Sequence, residues 1–237
     1  MSKLPVIEVF GPTIQGEGAA IGLKTMFVRL YGCDYRCKWC DSSFTWDGSG
    51  KADVELMDID RIIRQLKELS LDGCRYVTIS GGNPALYGEP VQQLIGRLHD
   101  MDKRVIVETQ GSLYQEWFRD VDLLTVSPKP PSSGMQPDWE MLDRIAAAID
   151  PGKASIKVVV FDEDDYRFAK AVHRRYSDIP FYLQTGNMDP AQDGDISGRL
   201  LRKLEWLFDI VAGDPEMADA RVLPQLHALV WGNKRGV

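Results

Sequence analysis

The stretch Cys33-Asp34-Tyr35-Arg36-Cys37-Lys38-Trp39-Cys40 contains three of the four cysteines in this 237-residue chain. Their Cys-x3-Cys-x2-Cys spacing puts three thiolates in one short loop, where they can converge on zinc or on an iron–sulfur cluster. A [4Fe–4S] cluster held by three cysteines has one iron without a protein ligand. Because that iron can bind a small molecule directly, the spacing predicts a catalytic cluster rather than a simple electron carrier.

Zinc and disulfide interpretations of the cysteines remain as weaker alternatives. Structural zinc sites are normally closed by four ligands, and neither Asp41, Cys74 nor a histidine completes a familiar zinc spacing. Disulfides are disfavoured because the first residues are followed by no apolar signal segment and cytosolic thiols stay reduced. Cys74 precedes an apolar run and is expected to be a buried small hydrophobic residue.

Length and charge limit the possible classes of protein. A chain of 237 residues suits one domain spanning 1–237, with a sizeable core. The net charge of −7 and the pI near 5.1 argue against a nucleic-acid-binding face. No apolar stretch is long enough to span a bilayer. We therefore expect a soluble, cytoplasmic protein that binds neither nucleic acid nor membrane.

Short apolar runs rich in β-branched residues alternate with longer segments of helical period. The predicted strands are 26–30, 76–79, 104–108, 123–126, 155–160 and 181–184. The predicted helices are 57–69, 90–101, 139–149, 164–176 and 196–211. This alternation predicts an α/β fold, with six parallel strands in an open, partial TIM-like barrel covered by helices. The segments 6–10 and 221–231 are expected to extend or cap the sheet, and 189–198 is the expected mobile loop.

Five of the six predicted strands run into glycines or polar residues at their carboxyl ends. These ends are Cys33, Ser80-Gly81-Gly82-Asn83-Pro84, Glu108-Thr109-Gln110-Gly111, Ser127-Pro128-Lys129 and Gln184-Thr185-Gly186. Each alone could be ordinary turn chemistry. Because chemistry in parallel α/β folds sits at the carboxyl ends of strands, together they predict a site around the cysteine loop.

The cysteine spacing, with the aromatic Trp39 inside it, resembles the signature of the radical S-adenosylmethionine (SAM) enzymes. Those enzymes have a Gly-Gly-Glu-Pro segment whose backbone contacts SAM, and here Asn83 stands where Glu is usual, which leaves only the backbone role. The resemblance implies a [4Fe–4S] cluster and SAM as cofactors. The residues expected to bind SAM are Trp39, Gly82, Glu108, Ser127, Pro128, Lys129 and Gln184.

Further segments resemble the 7-carboxy-7-deazaguanine synthase family over nearly the whole chain, in its Bacillus-like form. They are 10–18, 27–30, 40–46, 78–84, 108–111, 127–131, 223–227 and 231–237. The resemblance implies a lyase that converts 6-carboxy-5,6,7,8-tetrahydropterin into 7-carboxy-7-deazaguanine with loss of ammonia, for queuosine and other 7-deazapurines. It also implies Mg²⁺, an electron donor such as flavodoxin, and a homodimer.

The same resemblance suggests roles for individual residues. The cluster ligands are Cys33, Cys37 and Cys40, and Ser42 is the expected Mg²⁺ ligand, with Ser43 as its competitor. The expected substrate contacts are Ile14, Gln15, Gly16, Arg29, Asp41, Ser80 and the terminal Val237. Glu17 and His227 are the expected catalytic residues. For Arg29 an ion pair with an acidic neighbour is the alternative, and for His227 a purely structural role.

Two other functions compete with this interpretation. A glycyl-radical activating enzyme shares the cysteine spacing, but it acts on a protein backbone and needs no Gln-Gly-Glu-Gly loop such as 15–18. An electron-transfer or zinc-stabilised binding protein would leave the polar strand ends unexplained.

Overall fold

A computed structural model of the chain describes residues 2–188 and 194–237. The strands are β1 (Lys3–Ile14), β2 (Lys24–Leu30), β3 (Glu55–Asp58), β4 (Tyr76–Gly81), β5 (Arg104–Thr109), β6 (Leu123–Val126), β7 (Ala154–Val159), β8 (Phe181–Gln184) and β9 (Arg221–Leu223). The helices are α1 (Ile59–Glu68), α2 (Glu89–His99), α3 (Trp139–Ala148), α4 (Glu163–Arg175), α5 (Ile196–Ala212) and α6 (Leu226–Trp231).

All nine strands belong to one sheet, in the order β3-β1-β2-β4-β5-β6-β7-β8-β9. From β2 to β9 every neighbouring pair is parallel, whereas β1 pairs antiparallel with both β2 and β3. The six predicted parallel strands are β2 and β4 to β8, so the predicted partial-barrel class is confirmed, with more strands than the six predicted. The terminal segments extend the sheet as β1 and β9, and α6 follows β9.

The core lies between the sheet and the helices, because strands and helices both present apolar residues to it. Every residue of β7 is buried, as expected for a parallel strand covered on both faces. Helix α2 buries Val91, Leu94, Ile95 and Leu98, which recur at the spacing of one helix face. Cys74 is buried in this core, as predicted.

Two predicted segments differ from the structure. The predicted helix 57–69 begins later, because Met57 and Asp58 pair with β1 as part of β3. Asp58 then caps α1 by accepting a hydrogen bond from the Arg61 amide at 2.8 Å, which fixes the start of the helix. Of the expected mobile loop 189–198, residues 189–193 lie outside the described residues and 196–198 begin α5.

Parallel strands β2 and β4 to β8 end at one edge of the sheet, which brings their following loops together. Within the ranges 2–188 and 194–237, no helix combines the length and hydropathy needed to cross a bilayer.

Candidate active site

A cavity of about 370 Å³ opens at the carboxyl ends of the parallel strands. Its wall includes the three loop cysteines, the loop after β1, the ends of β4, β5 and β8, and the C-terminal tail. Every residue predicted for the site lines this cavity except Ser127 and Pro128. The volume is in the usual range for small-molecule sites.

The three cysteine thiols are free and sit at the wall of this cavity. Burial, reinforced by the Asp41 carboxylate, raises the pKa of the Cys40 thiol to about 11. Burial also raises the pKa of Cys33 and Cys37, while the positive charge of Lys129 acts in the opposite direction on both. Such thiols become thiolate ligands when a metal centre displaces their protons.

Neighbouring side chains hold the cysteine loop in place. The indole N–H of Trp46 donates to Cys40 Sγ at 3.4 Å. The amide nitrogen of Gln110 lies 3.7 Å from Cys33 Sγ and donates to the Asp34 carboxylate at 2.7 Å. Hydrogen bonds to cluster sulfurs tune the potential of iron–sulfur centres, so these donors suit a cluster site.

The loop after β4 packs directly against the cysteine loop. A methyl group on Gly82 would overlap the Gly32 carbonyl oxygen, so only glycine permits this approach. The fully buried Asn83 side chain donates to Asp34 at 2.8 Å and to Ser112 at 3.1 Å. Its oxygen accepts from the hydroxyl of Thr109 at 2.9 Å. Asn83 therefore joins three loops around the cysteines.

The donor set fits a three-cysteine cluster better than zinc. Among the described residues, the fourth cysteine, Cys74, is buried in the core and does not line the cavity. Tetrahedral zinc ligands at about 2.3 Å would lie roughly 3.8 Å apart. In the described part of the chain, the one group of three potential ligands within 4.8 Å of one another is Glu17, Asp41 and His227, not the cysteines.

Several polar groups of the cavity wall either have a fixed orientation or lack a hydrogen-bond partner. The Trp39 indole donates to the Ser132 hydroxyl at 2.9 Å and packs against Phe161, with ring centroids 4.9 Å apart. Within the described residues, the Ser80 hydroxyl and the Gln184 amide nitrogen are buried without a hydrogen-bond partner. An unsatisfied buried polar atom costs about 1–3 kcal/mol, so a polar ligand reaching these two atoms would be stabilised.

Ser127 and Pro128 lie behind the cavity wall rather than on it. Ser127 is fully buried, and its hydroxyl accepts a hydrogen bond from the Lys129 ammonium at 3.0 Å. The structure thus places Ser127 where it orients Lys129, which does line the cavity.

A buried ion-pair group forms part of the cavity wall. Lys157, in the middle of β7, forms ion pairs with Glu17 and with Glu108, the latter at 2.7 Å. Burial alone would raise the pKa of Glu17, but the Lys157 ammonium, helped by His227 and by a hydrogen bond from Gln225, holds it well below its usual range. Burial opposes the charge on Lys157, yet Glu108 and Glu17 raise the pKa of the lysine above its usual range.

Glu17, Asp41 and His227 form a second polar group, joined by Gln225. The amide nitrogen of Gln225 donates to both carboxylates, each at 2.9 Å. The His227 ring nitrogens lie 3.8 Å from Glu17 and 4.0 Å from Asp41. These three ligands could contact a cation, but Glu17 already carries the Lys157 ion pair, so the group is a hydrogen-bonded cluster in this structure.

Arg29 joins the base of the cavity to the tail. Its guanidinium pairs with Glu8 at 2.5 Å and donates to the Ser42 hydroxyl at 3.2 Å. The ion pair with an acidic neighbour, given above as the alternative role of Arg29, is therefore present. Arg29 also lines the cavity. Arg235 forms an ion pair with the other Glu8 carboxylate oxygen at 3.0 Å and a second ion pair with Asp53 at 3.1 Å.

Three functional residues were missed from the sequence. Lys157 had a signal, because a lysine inside the apolar run of a buried strand is rare unless it is paired. Gln225 lies in the segment 223–227, which resembles the family, but the sequence suggested no role for it. Glu8 had no local signal, since its partners Arg29 and Arg235 come from two distant parts of the chain.

The chain is similar to known proteins over its whole length. The Radical SAM superfamily profile matches residues 27–128. The 7-carboxy-7-deazaguanine synthase of Bacillus cereus is 51% identical over 239 residues, covering 100% of both chains. That of Bacillus subtilis is 52% identical over 240 residues, covering 99% of this chain and 98% of the relative. The crystal structure of QueE from Escherichia coli, at 21% identity, covers 96% of each chain with a TM-score of 0.70, a likeness of fold.

Proposed function

The chain belongs to the 7-carboxy-7-deazaguanine synthases, a family of radical SAM enzymes, and from this membership we propose that it converts 6-carboxy-5,6,7,8-tetrahydropterin into 7-carboxy-7-deazaguanine with release of ammonia. The product would enter queuosine or other 7-deazapurine synthesis. The observation that carries the proposal is one cavity whose wall combines three free cysteines with Glu17, Arg29 and Asp41.

The three cysteines Cys33, Cys37 and Cys40 would hold the [4Fe–4S] cluster. When bound, the cluster and SAM supply the radical that starts the ring contraction, while the protein provides orientation and electrostatics. Gln110 and Trp46 direct N–H groups toward two of the sulfurs, which stabilises negative charge there.

Residues near the cysteine loop suit the polar parts of SAM. Lys129, oriented by Ser127, offers a positive charge for a carboxylate. The unpartnered Gln184 amide nitrogen offers SAM a hydrogen bond that the described chain does not use, and the unpartnered Ser80 hydroxyl offers one to the substrate. Trp39 presents an aromatic face, and Gly82 brings the backbone close to the cluster loop.

Other residues of the cavity wall suit a carboxylated pterin. Arg29 can face a substrate carboxylate while Glu8 holds its guanidinium in place. Because the paired Lys157 ammonium lowers the pKa of Glu17, its carboxylate can accept hydrogen bonds from the pterin amino and amide N–H groups. The His227 ring lies next to Glu17 and Asp41, where it can exchange a proton with a bound substrate.

Mg²⁺ and the protein partners are further parts of the proposal. Ser42 lines the cavity, whereas Ser43 does not, which favours Ser42 as the Mg²⁺ ligand. Mg²⁺ usually keeps several waters and takes few protein ligands, so one hydroxyl with substrate oxygens is chemically reasonable. The enzyme would require an electron donor, for which we propose a flavodoxin, and would act as a homodimer in the cytoplasm.

The test is anaerobic turnover of reconstituted protein with SAM, dithionite, Mg²⁺ and 6-carboxytetrahydropterin, followed by mass spectrometry. We expect 7-carboxy-7-deazaguanine, and no product from a Cys37→Ala variant. If SAM is cleaved while the pterin is untouched, the substrate is wrong. If neither reacts in protein with verified cluster content, the proposed activity itself is refuted.

A further inference from the structure

Lys157 is a charged residue in a strand whose other residues, apart from Ser155, are apolar. Its side chain is 2% exposed, and every other residue of β7 is buried as well. A lysine is rarely this buried unless it is paired, because removing an ammonium from water is costly. A residue with only a packing role at this position would be apolar, as its neighbours are.

Its two partners come from different segments of the cavity wall. Glu17 lies in the loop after β1, which we assign to the pterin, and Glu108 lies near the end of β5, on the SAM side. Both carboxylates line the cavity, and Lys157 lies between them. One ammonium thus fixes two carboxylates that would otherwise repel each other in a partly buried site.

The loop that carries Glu17 is itself docked over the strands near Lys157. The Gly18 amide lies 3.3 Å from the Gln184 side-chain oxygen, on the neighbouring strand β8. Gly18 has a φ of +56°, which favours glycine, and a methyl group there would lie 3.6 Å from Lys157 Cδ. The position of Glu17 is therefore set jointly by this docking and by the lysine.

We propose that Lys157 is a positioning residue that holds the substrate-facing Glu17 and the cofactor-facing Glu108 in their binding geometry. This inference rests on the proposed function, because it assigns the two carboxylates to the pterin and to SAM. Lys157 also lines the cavity, but its ammonium is already paired with the two carboxylates. It acts by fixing where the two acceptors point, so its loss displaces both at once.

The experiment compares Lys157→Met with wild type in cluster-loaded protein without reductant, where neither ligand reacts. Dissociation constants for SAM and for 6-carboxytetrahydropterin are measured by equilibrium dialysis. We expect each to rise about tenfold, equivalent to about 1.4 kcal/mol, and kcat with dithionite to fall about 100-fold through misplacement of the reacting groups.

The chain offers a matched control in Lys170, on α4. Lys170 also bridges two carboxylates, Asp214 at 2.7 Å and Glu216 at 2.9 Å, away from the cavity. Lys170→Met should leave both dissociation constants unchanged. A purely structural role for Lys157 would lower cluster content or melting temperature while leaving affinity per loaded site at the wild-type value, and that result would overturn the inference.

A second pair of variants keeps the inference testable if Lys157→Met does not fold. Lys157→Met combined with Glu108→Gln removes one of the two uncompensated carboxylates and is compared with Glu108→Gln alone. Weaker pterin binding in the double variant supports the inference, and equal binding overturns it. Wild-type protein is measured first: absence of its turnover refutes the proposed function, whereas wild-type turnover with unaffected lysine variants refutes only the role of Lys157.

Discussion

At the scale of single residues, Asn83 explains how this chain departs from the usual Gly-Gly-Glu-Pro segment. An amide can donate to Asp34 and Ser112 and accept from Thr109 at the same time, whereas a carboxylate only accepts. Glutamate in this orientation would face the Asp34 carboxylate and would need a different arrangement. Asparagine at this position therefore supports the cysteine loop through hydrogen bonds that a glutamate could not make in the same way.

The Ser42→Ala variant tests whether the Ser42 hydroxyl is a Mg²⁺ ligand. This change removes the hydroxyl proposed as ligand, so the concentration of Mg²⁺ giving half-maximal stimulation should rise at least about tenfold. Cluster content should not change, because Ser42 is not a cysteine ligand. The measurement is turnover against Mg²⁺ concentration, with iron and sulfide quantified per chain.

Ser43→Ala is the matched control for this prediction, since Ser43 is adjacent but does not line the cavity. An unaltered Mg²⁺ response in Ser42→Ala, or an equal loss in both variants, would rule out Ser42 as the ligand.

At the scale of elements, the C-terminal tail forms part of the cavity wall, and Arg235 attaches it there. The Arg235 guanidinium pairs with Glu8 and Asp53 and lies 4.0 Å from the centre of the Phe44 ring. Since Glu8 also holds Arg29, docking of the tail and orientation of the proposed carboxylate-binding arginine depend on one side chain.

Arg235→Ala should therefore weaken pterin binding more than SAM binding. Two partly exposed ion pairs and a cation–π contact are together worth about 1–2 kcal/mol, so the KM for the pterin should rise about tenfold. The KM for SAM should stay near the wild-type value. Steady-state kinetics with each ligand varied in turn provides the measurement.

Arg167→Ala is a suitable control, because Arg167 is an exposed arginine of α4 that pairs with Asp164. A parallel rise in both KM values for Arg235→Ala would mean that the tail acts on the whole site rather than on the pterin side.

At the scale of the whole molecule, the two edges of the sheet have different electrostatic roles. The carboxyl edge carries the cavity, while near the amino ends of β5 and β6 the Asp122 carboxylate meets Arg104 at 3.1 Å and His99 at 2.9 Å. Burial works against ionisation of Asp122, but the Val105 amide, His99 and Arg104 together lower its pKa below the usual value. This group contributes to stability without touching the site.

Asp122→Asn should lower the melting temperature near neutral pH by roughly 2–4 °C, the shift expected for about 1 kcal/mol in a chain of this size. Because the folded-state pKa of Asp122 is lowered, the unfolded state binds more protons as the pH falls below about 4. The contribution is therefore present above that pH and is lost below it.

Melting temperatures of wild type and Asp122→Asn, measured from about pH 7 to about pH 2.5, should converge as the pH falls through the lowered folded-state pKa of Asp122. Comparing two proteins with the same cysteine loop cancels any acid sensitivity of the cluster. A constant difference across this range would contradict a stabilising role for the ionised carboxylate.

The sequence by itself determined the parallel α/β class and the edge that carries the site. The cysteine spacing, the apolar strand runs and the glycine-rich strand ends are local patterns, and local patterns set which segments form strands and which ends meet. The start of α1 differs from the prediction because Met57 and Asp58 pair with β1 and so belong to a strand.

Only the tertiary structure decided which charges meet. Lys157 and Glu17 are separated by 140 positions, Gln225 and Glu17 by 208, and Arg235 and Glu8 by 227. No periodicity links residues so far apart, because such pairs form only where distant segments of the chain converge. For the buried Lys157, pairing is then needed to offset the cost of removing its charge from water. The tertiary structure likewise decided the place of Ser127, which was expected to bind SAM. Its side chain does not line the cavity and instead accepts a hydrogen bond from Lys129, which does.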